Sequence, residues 1–326
     1  MYPPIPRSKL KCHVKSKCFE DPQKHYRPYR ASIYSEDTAM FSHSSPHDLA
    51  PTLCLPDEEK SCFACCPPIR PAGYEHIQHR TIIQRMLREN TREFDSQSRR
   101  MRPITGFSCW ALGYLDNDCR VVGCLLHPER YQGEDLRFLT DYGEKCRREN
   151  CPESRVFLGL PLEARRFWLH LVKDLDSFQY SSHRFNPLFR LLGWGPALLS
   201  AIAMEQDRTP LSRDHLSKTY PVLESGREPR ANAYLLKGIV QQKGIGSLRG
   251  ALFAQQFEQL STDLMPRLRS GSLSGGAPFT HLLPLDPLFL DLLRLGGGIK
   301  RIHENAAVTL KAQVDEQLSH FIGETQ

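Results

Sequence analysis

The sequence predicts a mainly α protein in which an irregular, metal-stapled cysteine-rich domain precedes an all-helical domain. Three observations carry that prediction. Of the 11 cysteines, eight fall between Cys62 and Cys151, and none follows Cys151. Beyond Pro161, apolar residues recur at helical spacing over several long stretches. Sustained period-two alternation, the mark of a half-buried strand, does not occur in that second half.

Composition sets what the cysteines can mean. A chain of 326 residues, 40% hydrophobic and 25% charged, has room for two domains with ordinary cores and the balance of a globular protein. Its net charge of +6 permits an anionic partner without demanding one. Met1 to Leu10 contain Pro3, Pro4 and Pro6 with Arg7 and Lys9, and no apolar core follows, so no secretory signal is read there. A cytoplasmic protein is expected, and in that reducing compartment clustered cysteines hold metals more often than they pair. The most apolar run, Pro187 to Met204, is broken by Arg190, Gly193, Gly195 and Pro196 and falls short of the roughly 20 apolar residues of a spanning helix. It reads as two buried helical pieces with a turn between them, not as a membrane segment.

In chain order, residues 1–60 read as a largely disordered arm, rich in Pro, Ser, His and Lys. Cys12, His13, Cys18 and His25 match no tetrahedral spacing, and Cys54 is grouped with these stray thiols. Residues 61–155 form the cysteine domain, interrupted by a helix from about Tyr74 to Phe94 on the spacing of Ile77, Ile83, Met86, Leu87 and Phe94. Arg80, Arg85, Arg88 and Arg92 lie along this segment, with Glu89 and Glu93 interleaved, so the stripe reads as a salt-bridged solvated face. His76 and His79 are set aside as ligands because thiols are plentiful.

Residues 156–268 read as a helical domain. Its first helix opens at Pro161 and presents Leu162, Trp168, Leu171, Val172, Leu175 and Phe178, with proline tolerated in the first turn. The broken piece from Pro187 to Met204 follows, then helices from Ala231 to Gln242 and from Leu248 to Leu264. Residues 269–280, nearly all Gly, Ser and Ala at their centre, read as a flexible linker. Residues 281–326 carry a short helix from Leu285 to Leu295 and a longer one from Ile299.

Thiolates are soft donors, and four of them satisfy a zinc ion, or an iron–sulfur cluster, without water in the first shell. Pairs separated by a few residues let one short loop bring both sulfurs to one ion. Cys119-x4-Cys124 and Cys146-x4-Cys151 have that spacing, with Gly123 relaxing the first loop and Pro152 stiffening the exit of the second. Cys65 and Cys66 are adjacent, so either they serve two metal sites or one of them packs. The candidate metal ligands are Cys62, Cys65, Cys66, Cys109, Cys119, Cys124, Cys146 and Cys151. Two zinc ions, two clusters, or a single ion or cluster with surplus thiols all remain open. The alternative of buried cysteines without metal requires the concentration to be accidental.

The Cys62-Phe-Ala-Cys65-Cys66 opening, the segment Cys109-Trp-Ala-Leu-Gly-Tyr-Leu-Asp-Asn-Asp-Cys119, and Cys124-Leu-Leu-His-Pro together resemble the bacterial cysteine-cluster proteins of the YkgJ family, described as zinc- or iron-chelating. The resemblance spans roughly Ser61 to Arg130 and implies ligand roles for Cys62, Cys65, Cys66, Cys109, Cys119 and Cys124. Cys146 and Cys151 are added from spacing alone. The family's first cysteine would fall at Glu59, and Val122-Gly123 stand where its Arg-Pro is usual.

Other motifs fail. Gly244-Ile-Gly246-Ser-Leu-Arg-Gly250 has the wrong glycine spacing for a dinucleotide fingerprint and reads as a helix-to-helix turn. There is no His-Glu-x-x-His and no Gly-x-Ser-x-Gly, so no catalytic residue is assigned and enzymatic activity is left open. Three functions are therefore expected in order: a metal-binding protein whose metal is chiefly structural and whose surface meets a protein partner; an iron–sulfur electron-transfer component; and a zinc-bearing nucleic-acid module. The last is disfavoured because the basic stripe is short and aromatic interleaving is thin.

Overall fold

Twelve α-helices and one two-stranded hairpin make up the regular structure of a computed structural model that describes residues 50–66, 71, 73–105, 109–148, 151–205, 212–270 and 277–324. Cys12, His13, Cys18 and His25, with most of the expected N-terminal arm, lie outside the described residues, as do 271–276 at the centre of the expected linker. The chain from Leu49 onward forms one unit. Its mainly α character agrees with the sequence.

Two apolar cores lie within it. The smaller is built on helix α1 (Arg80–Glu93), which follows a 3-10 turn at His76–His79, and on the hairpin β1 (Leu112–Tyr114) and β2 (Val122–Cys124). Ile83 and Leu87 of α1 meet Leu112, Tyr114, Val122, Leu126, Leu136 and Leu139 there. The strands are antiparallel, with Leu112 opposite Cys124, Gly113 opposite Gly123 and Tyr114 opposite Val122. Gly113 is needed for close approach: a Cβ there would stand 2.7 Å from Thr91 Oγ1 and 2.8 Å from Leu125 Cδ1. Because the helix can come that near, the Tyr114 N–H donates to Thr91 Oγ1 at 2.8 Å, tying α1 to the hairpin.

The larger core is helical. Helices α4 (Leu162–Leu169), α6 (Pro187–Leu192), α7 (Pro196–Glu205), α9 (Pro229–Lys243), α10 (Gly250–Ser270), α11 (Pro287–Asp291) and α12 (Glu304–Glu324) surround Trp168, Trp194, Leu235, Phe257 and Phe289. The break expected in the run from Pro187 to Met204 falls between α6 and α7, where Gly195 takes φ 89° and Pro196 opens the next helix. The stretch Gly244 to Gly250 is a helix-to-helix turn, with φ of 77° at Gly244 and 85° at Gly250. Where the sequence predicts a helix from Ile299, the backbone stays extended and the helix starts at Glu304. Gly298 at φ 73° and a bridge from Arg301 to Phe279 hold that stretch open, while Ile299 and Ile302 still fill the core.

Four further short helices are not apparent from the sequence as separate elements: α2 (Gly143–Arg148), α3 (Pro152–Leu158), α5 (Ser177–Tyr180) and α8 (Arg213–Thr219). The short helix expected from Leu285 to Leu295 is α11, which runs on into a π turn at Leu292–Gly296. Helix α5 joins the two cores, for Phe178 belongs to the hairpin core and Tyr180 to the helical one. It is fixed by a capping box in which the Asp176 carboxylate accepts from the Phe178 and Gln179 N–H groups.

Helix α11 offers a test of pH dependence. Asp286 caps it, accepting from the Leu288 N–H at 2.8 Å and pairing with Lys237 Nζ at 2.8 Å. Burial pushes this carboxyl up, but the Lys237 ammonium and the Leu288 and Phe289 N–H groups outweigh it and hold the group below the usual carboxylate value. A folded-state pKa below the unfolded one contributes stability that is complete above the unfolded value of about 3.9 and is lost as pH falls through the folded value. Asp286→Ala is therefore expected to cost about 1–2 kcal/mol at neutral pH. Urea melts should show the deficit narrowing below about pH 4; a deficit unchanged by acid would mean that the carboxylate charge is not its source.

Candidate metal centre

The segment from Cys54 to Cys66 runs between the two cores and is held to both by hydroxyl groups. The Ser61 N–H donates to Ser177 Oγ at 3.1 Å and the Phe63 N–H to Ser181 Oγ at 2.9 Å, both partners lying at α5. Ser61 Oγ donates to the Val122 carbonyl at 2.6 Å and accepts from the Val122 N–H at 2.7 Å, which latches the segment to β2. Upstream, Tyr180 Oη donates to the Leu53 carbonyl at 3.1 Å and Lys60 Nζ to the Lys173 carbonyl at 3.2 Å. Phe63 packs in the hairpin core and Ala64 in the helical core. The alternation of one peptide between two cores sends its cysteines to different sides.

The hairpin and the short helices position the remaining thiols. Cys109 is buried just before β1, its carbonyl accepting from Asn90 Nδ2 at 3.0 Å. Cys124 ends β2, half-buried beside the same core. Cys146 lies in α2, which starts at Gly143 close against the preceding turn; a Cβ there would meet the Phe138 backbone at 2.8 Å. Cys151 is the N-cap of α3, with Pro152 at the first helical position, and its thiol donates to Glu153 Oε2 at 2.8 Å.

These thiols influence one another. Burial raises the Cys62 thiol far above its ordinary pKa, and neighbouring Cys65 and Cys54 add to the rise. Burial likewise raises Cys151, helped by the Glu153 carboxylate and by Cys62. Cys66 is raised first by its hydrogen bond with the Cys65 thiol, then by burial, with Cys124 and Cys109 contributing. Burial pushes Cys109 up to about 11, with Cys146 adding to it, and Cys124 up to about 12, with Cys109 and Cys146 adding. Cys146 is raised by burial, opposed by the Arg137 guanidinium and reinforced by Cys65. Seven of the eight sequence-predicted ligands therefore lie within electrostatic reach of another cysteine.

Cys119 stands apart, exposed in the loop between β1 and β2 with φ 57°. That loop is closed by Asp116, whose Oδ1 accepts from the Arg120 and Val121 N–H groups at 3.0 and 2.7 Å. The equal spacings of the two cysteine pairs do not translate into local pairing: Cys124 faces Cys109 and Cys146, and Cys151 faces Cys62. Cys54 is the thiol that the spacing did not bring forward. Its carbonyl accepts from the Cys62 N–H at 2.8 Å and its Sγ lies 3.9 Å from Ser154 Oγ. The available signal was Leu53, an apolar residue in a polar stretch, which is fully buried.

His76 is buried, its Nε2 3.1 Å from the Phe63 carbonyl and its ring 4.7 Å from that of Phe63, so it braces the cysteine loop. Three of the four arginines of the stripe are salt-bridged: Arg80 pairs with Asp176 at 2.8 Å, Arg85 with Glu89 at 3.8 Å and Arg92 with Glu93 at 3.7 Å. Among the described residues, no group of three or more His, Cys, Asp or Glu side chains stands in metal-ligating geometry, and no helix is long and apolar enough to cross a membrane. No family model matches the chain, and no curated protein or solved structure matches it.

Proposed function

We propose that this chain is a cysteine-cluster metal-binding protein, taking zinc or iron, whose metal is chiefly structural and joins the hairpin core to the helical core. The observation that supports the reading is that Cys62 and Cys151 pack against the helical core while Cys66, Cys109 and Cys124 pack in the hairpin core, so thiols from one short segment line both cores. The donor set fits a thiophilic ion. Half-buried thiols are costly to ionise alone, which is why burial holds them protonated. A divalent cation supplies the missing countercharge and turns the same burial into an advantage, since a coordinated thiol is deprotonated outright. Because no three of these side chains stand in metal-ligating geometry among the described residues, metal uptake would have to be coupled to local rearrangement.

Metal-bound thiols of this kind suit a reducing, cytoplasmic setting. The bound metal would leave the outer surface for a protein partner, while the resemblance to YkgJ-type proteins bears on metal chelation alone. A nucleic-acid role finds less support, because Arg80, Arg85 and Arg92 already have acidic partners.

The test is metal and acid-labile sulfide content, with a visible spectrum, on chain purified without oxygen. About two zinc ions per chain and no colour are expected. Iron with sulfide and broad visible absorption would replace zinc by a cluster and favour electron transfer. A chain that carries no metal as purified and takes up neither ion on reconstitution would overturn the proposal.

A further inference from the structure

We propose that the cleft between the end of α1 and the loop 95–103 binds an aromatic amino acid in its zwitterionic form. The ring lies against Trp110, the carboxylate meets Arg100 and Arg102, and the ammonium meets Glu93 and Asp95, all of which line the cleft. Its volume is about 560 Å³, within the range of about 300–1,000 Å³ usual for small-molecule sites. No cysteine lines it among the described residues, so the site stands apart from the metal-binding reading.

Backbone bonds hold the cleft in shape. Helix α1 stops at Glu93, and Phe94 takes an extended conformation with φ −71° and ψ 119°, which turns the chain off the helix axis. The loop is then returned to the hairpin core: the Arg102 N–H donates to the Leu139 carbonyl at 2.7 Å and the Ile104 N–H to the Thr140 carbonyl at 3.1 Å. The indole Nε1–H of Trp110 donates to the Arg102 carbonyl at 2.5 Å. Indole has no other polar group, so the ring is oriented by that bond and has only its apolar surface left to offer.

That surface is shared by two rings. Phe94 and Trp110 are both half-buried, their centres 6.4 Å apart and their planes 25° from parallel. The Arg102 guanidinium stands 5.7 Å from the centre of the Trp110 ring. A pair of aromatic rings whose one polar group is already bonded favours an aromatic partner, taken up by offset stacking or edge-to-face contact at centroid distances of about 4.5–7 Å.

The charges decide what else the partner carries. Glu93, Asp95, Arg100 and Arg102 are exposed on the cleft, two of each sign. They do not neutralise one another: among the described residues neither arginine is paired with a carboxylate, and the ion pair of Glu93 is with Arg92, at 3.7 Å. Asp95 Oδ1 accepts from the Gln97 N–H at 2.9 Å. A nucleotide gains from the two guanidiniums but brings its phosphate to two carboxylates, and a simple amine meets the converse. A ligand with one ammonium and one carboxylate gains from both pairs.

Ligand-observed NMR titration of the full chain as purified, with L-tryptophan as the probe, tests the proposal. A ligand of that size is expected to bind with a dissociation constant of about 0.1–1 mM. N-acetyl-L-tryptophan, which lacks the ammonium, and L-tryptophan amide, which lacks the carboxylate, should each bind about threefold more weakly. L-alanine keeps both charges without the ring and should bind more than about tenfold more weakly, as should L-tryptophan to Trp110→Ala. Arg100→Gln, on the exposed loop, should weaken L-tryptophan about threefold. Should Trp110→Ala not fold, Arg100→Gln and the analogues on the unaltered chain still decide. An absence of saturable L-tryptophan binding below about 10 mM overturns the proposal. So does N-acetyl-L-tryptophan or adenosine monophosphate binding as tightly as L-tryptophan, since the cleft is then an anion site. Metal content does not enter these readings, so either proposal can fail while the other stands.

Discussion

Removing the proposed metal is expected to unfold the cysteine-bearing region while the helical core stays folded. The reason lies in the unequal size of the two cores. The hairpin core rests on one amphipathic helix, two strands of three residues each and a set of loops. So small an apolar cluster is marginal without a staple, and structural zinc in such settings contributes about 10–16 kcal/mol of folding free energy per site. The helical core buries two tryptophans and spans helices from α4 to α12, so it has no such dependence. Charge repulsion is not the cause of the expected collapse. Without metal the thiols take up protons, as their raised pKa values require, and what is lost is the cross-linking of distant segments. Hydrogen exchange with and without chelator checks this. Amides of 50–66 and 109–148 should lose protection while those of α9 and α12 keep it. Equal protection throughout the chelated chain would show that the metal is not a staple.

How far the sequence could be read varies with the kind of signal. The helices of the second half are legible because their stripes are long: the break at Gly195-Pro196, the extent of α9 and the turn at Gly244 all follow from residue type. The hairpin is not, since Leu112-Gly-Tyr114 and Val122-Gly-Cys124 are too short to show alternation and each spends its middle residue on glycine. Ile299 and Ile302 teach a related lesson. Their spacing correctly marks burial, but burial in an extended segment can imitate a helical stripe when glycine precedes it. At the candidate site, cysteine spacing reports which thiols a short loop can bring together, whereas in the structure backbone pairing sets Cys54 beside Cys62 and Leu112 opposite Cys124. That is why Cys119 looks like a ligand and lies exposed, and why Cys54, with seven residues between it and Cys62, is legible only once the Cys62 N–H is seen to donate to its carbonyl.

Trp168→Ala is expected to be the most destabilising single substitution in the helical core. The side chain is fully buried in α4, and its indole Nε1–H donates to the Leu199 carbonyl of α7 at 3.1 Å, so one residue both fills the space between two helices and fixes their register. Truncation leaves a large cavity and costs about 3–5 kcal/mol, a substantial part of the 5–15 kcal/mol that typically holds a domain together. Trp168→Phe keeps most of the volume and should cost clearly less, the loss of the hydrogen bond accounting for about 1 kcal/mol. Urea denaturation followed by far-ultraviolet circular dichroism measures both, and a cost below about 1 kcal/mol for the alanine variant would mean that the site collapses around the vacancy. The variant also separates the two cores. The indole hydrogen bond of Trp168 goes to α7 and to no cysteine, so the folded variant should bind as much metal as the unaltered chain. If the cores unfold independently, the substitution lowers only the transition of the helical part and chelation lowers only the other. If they form one cooperative unit, the two perturbations act on the same transition.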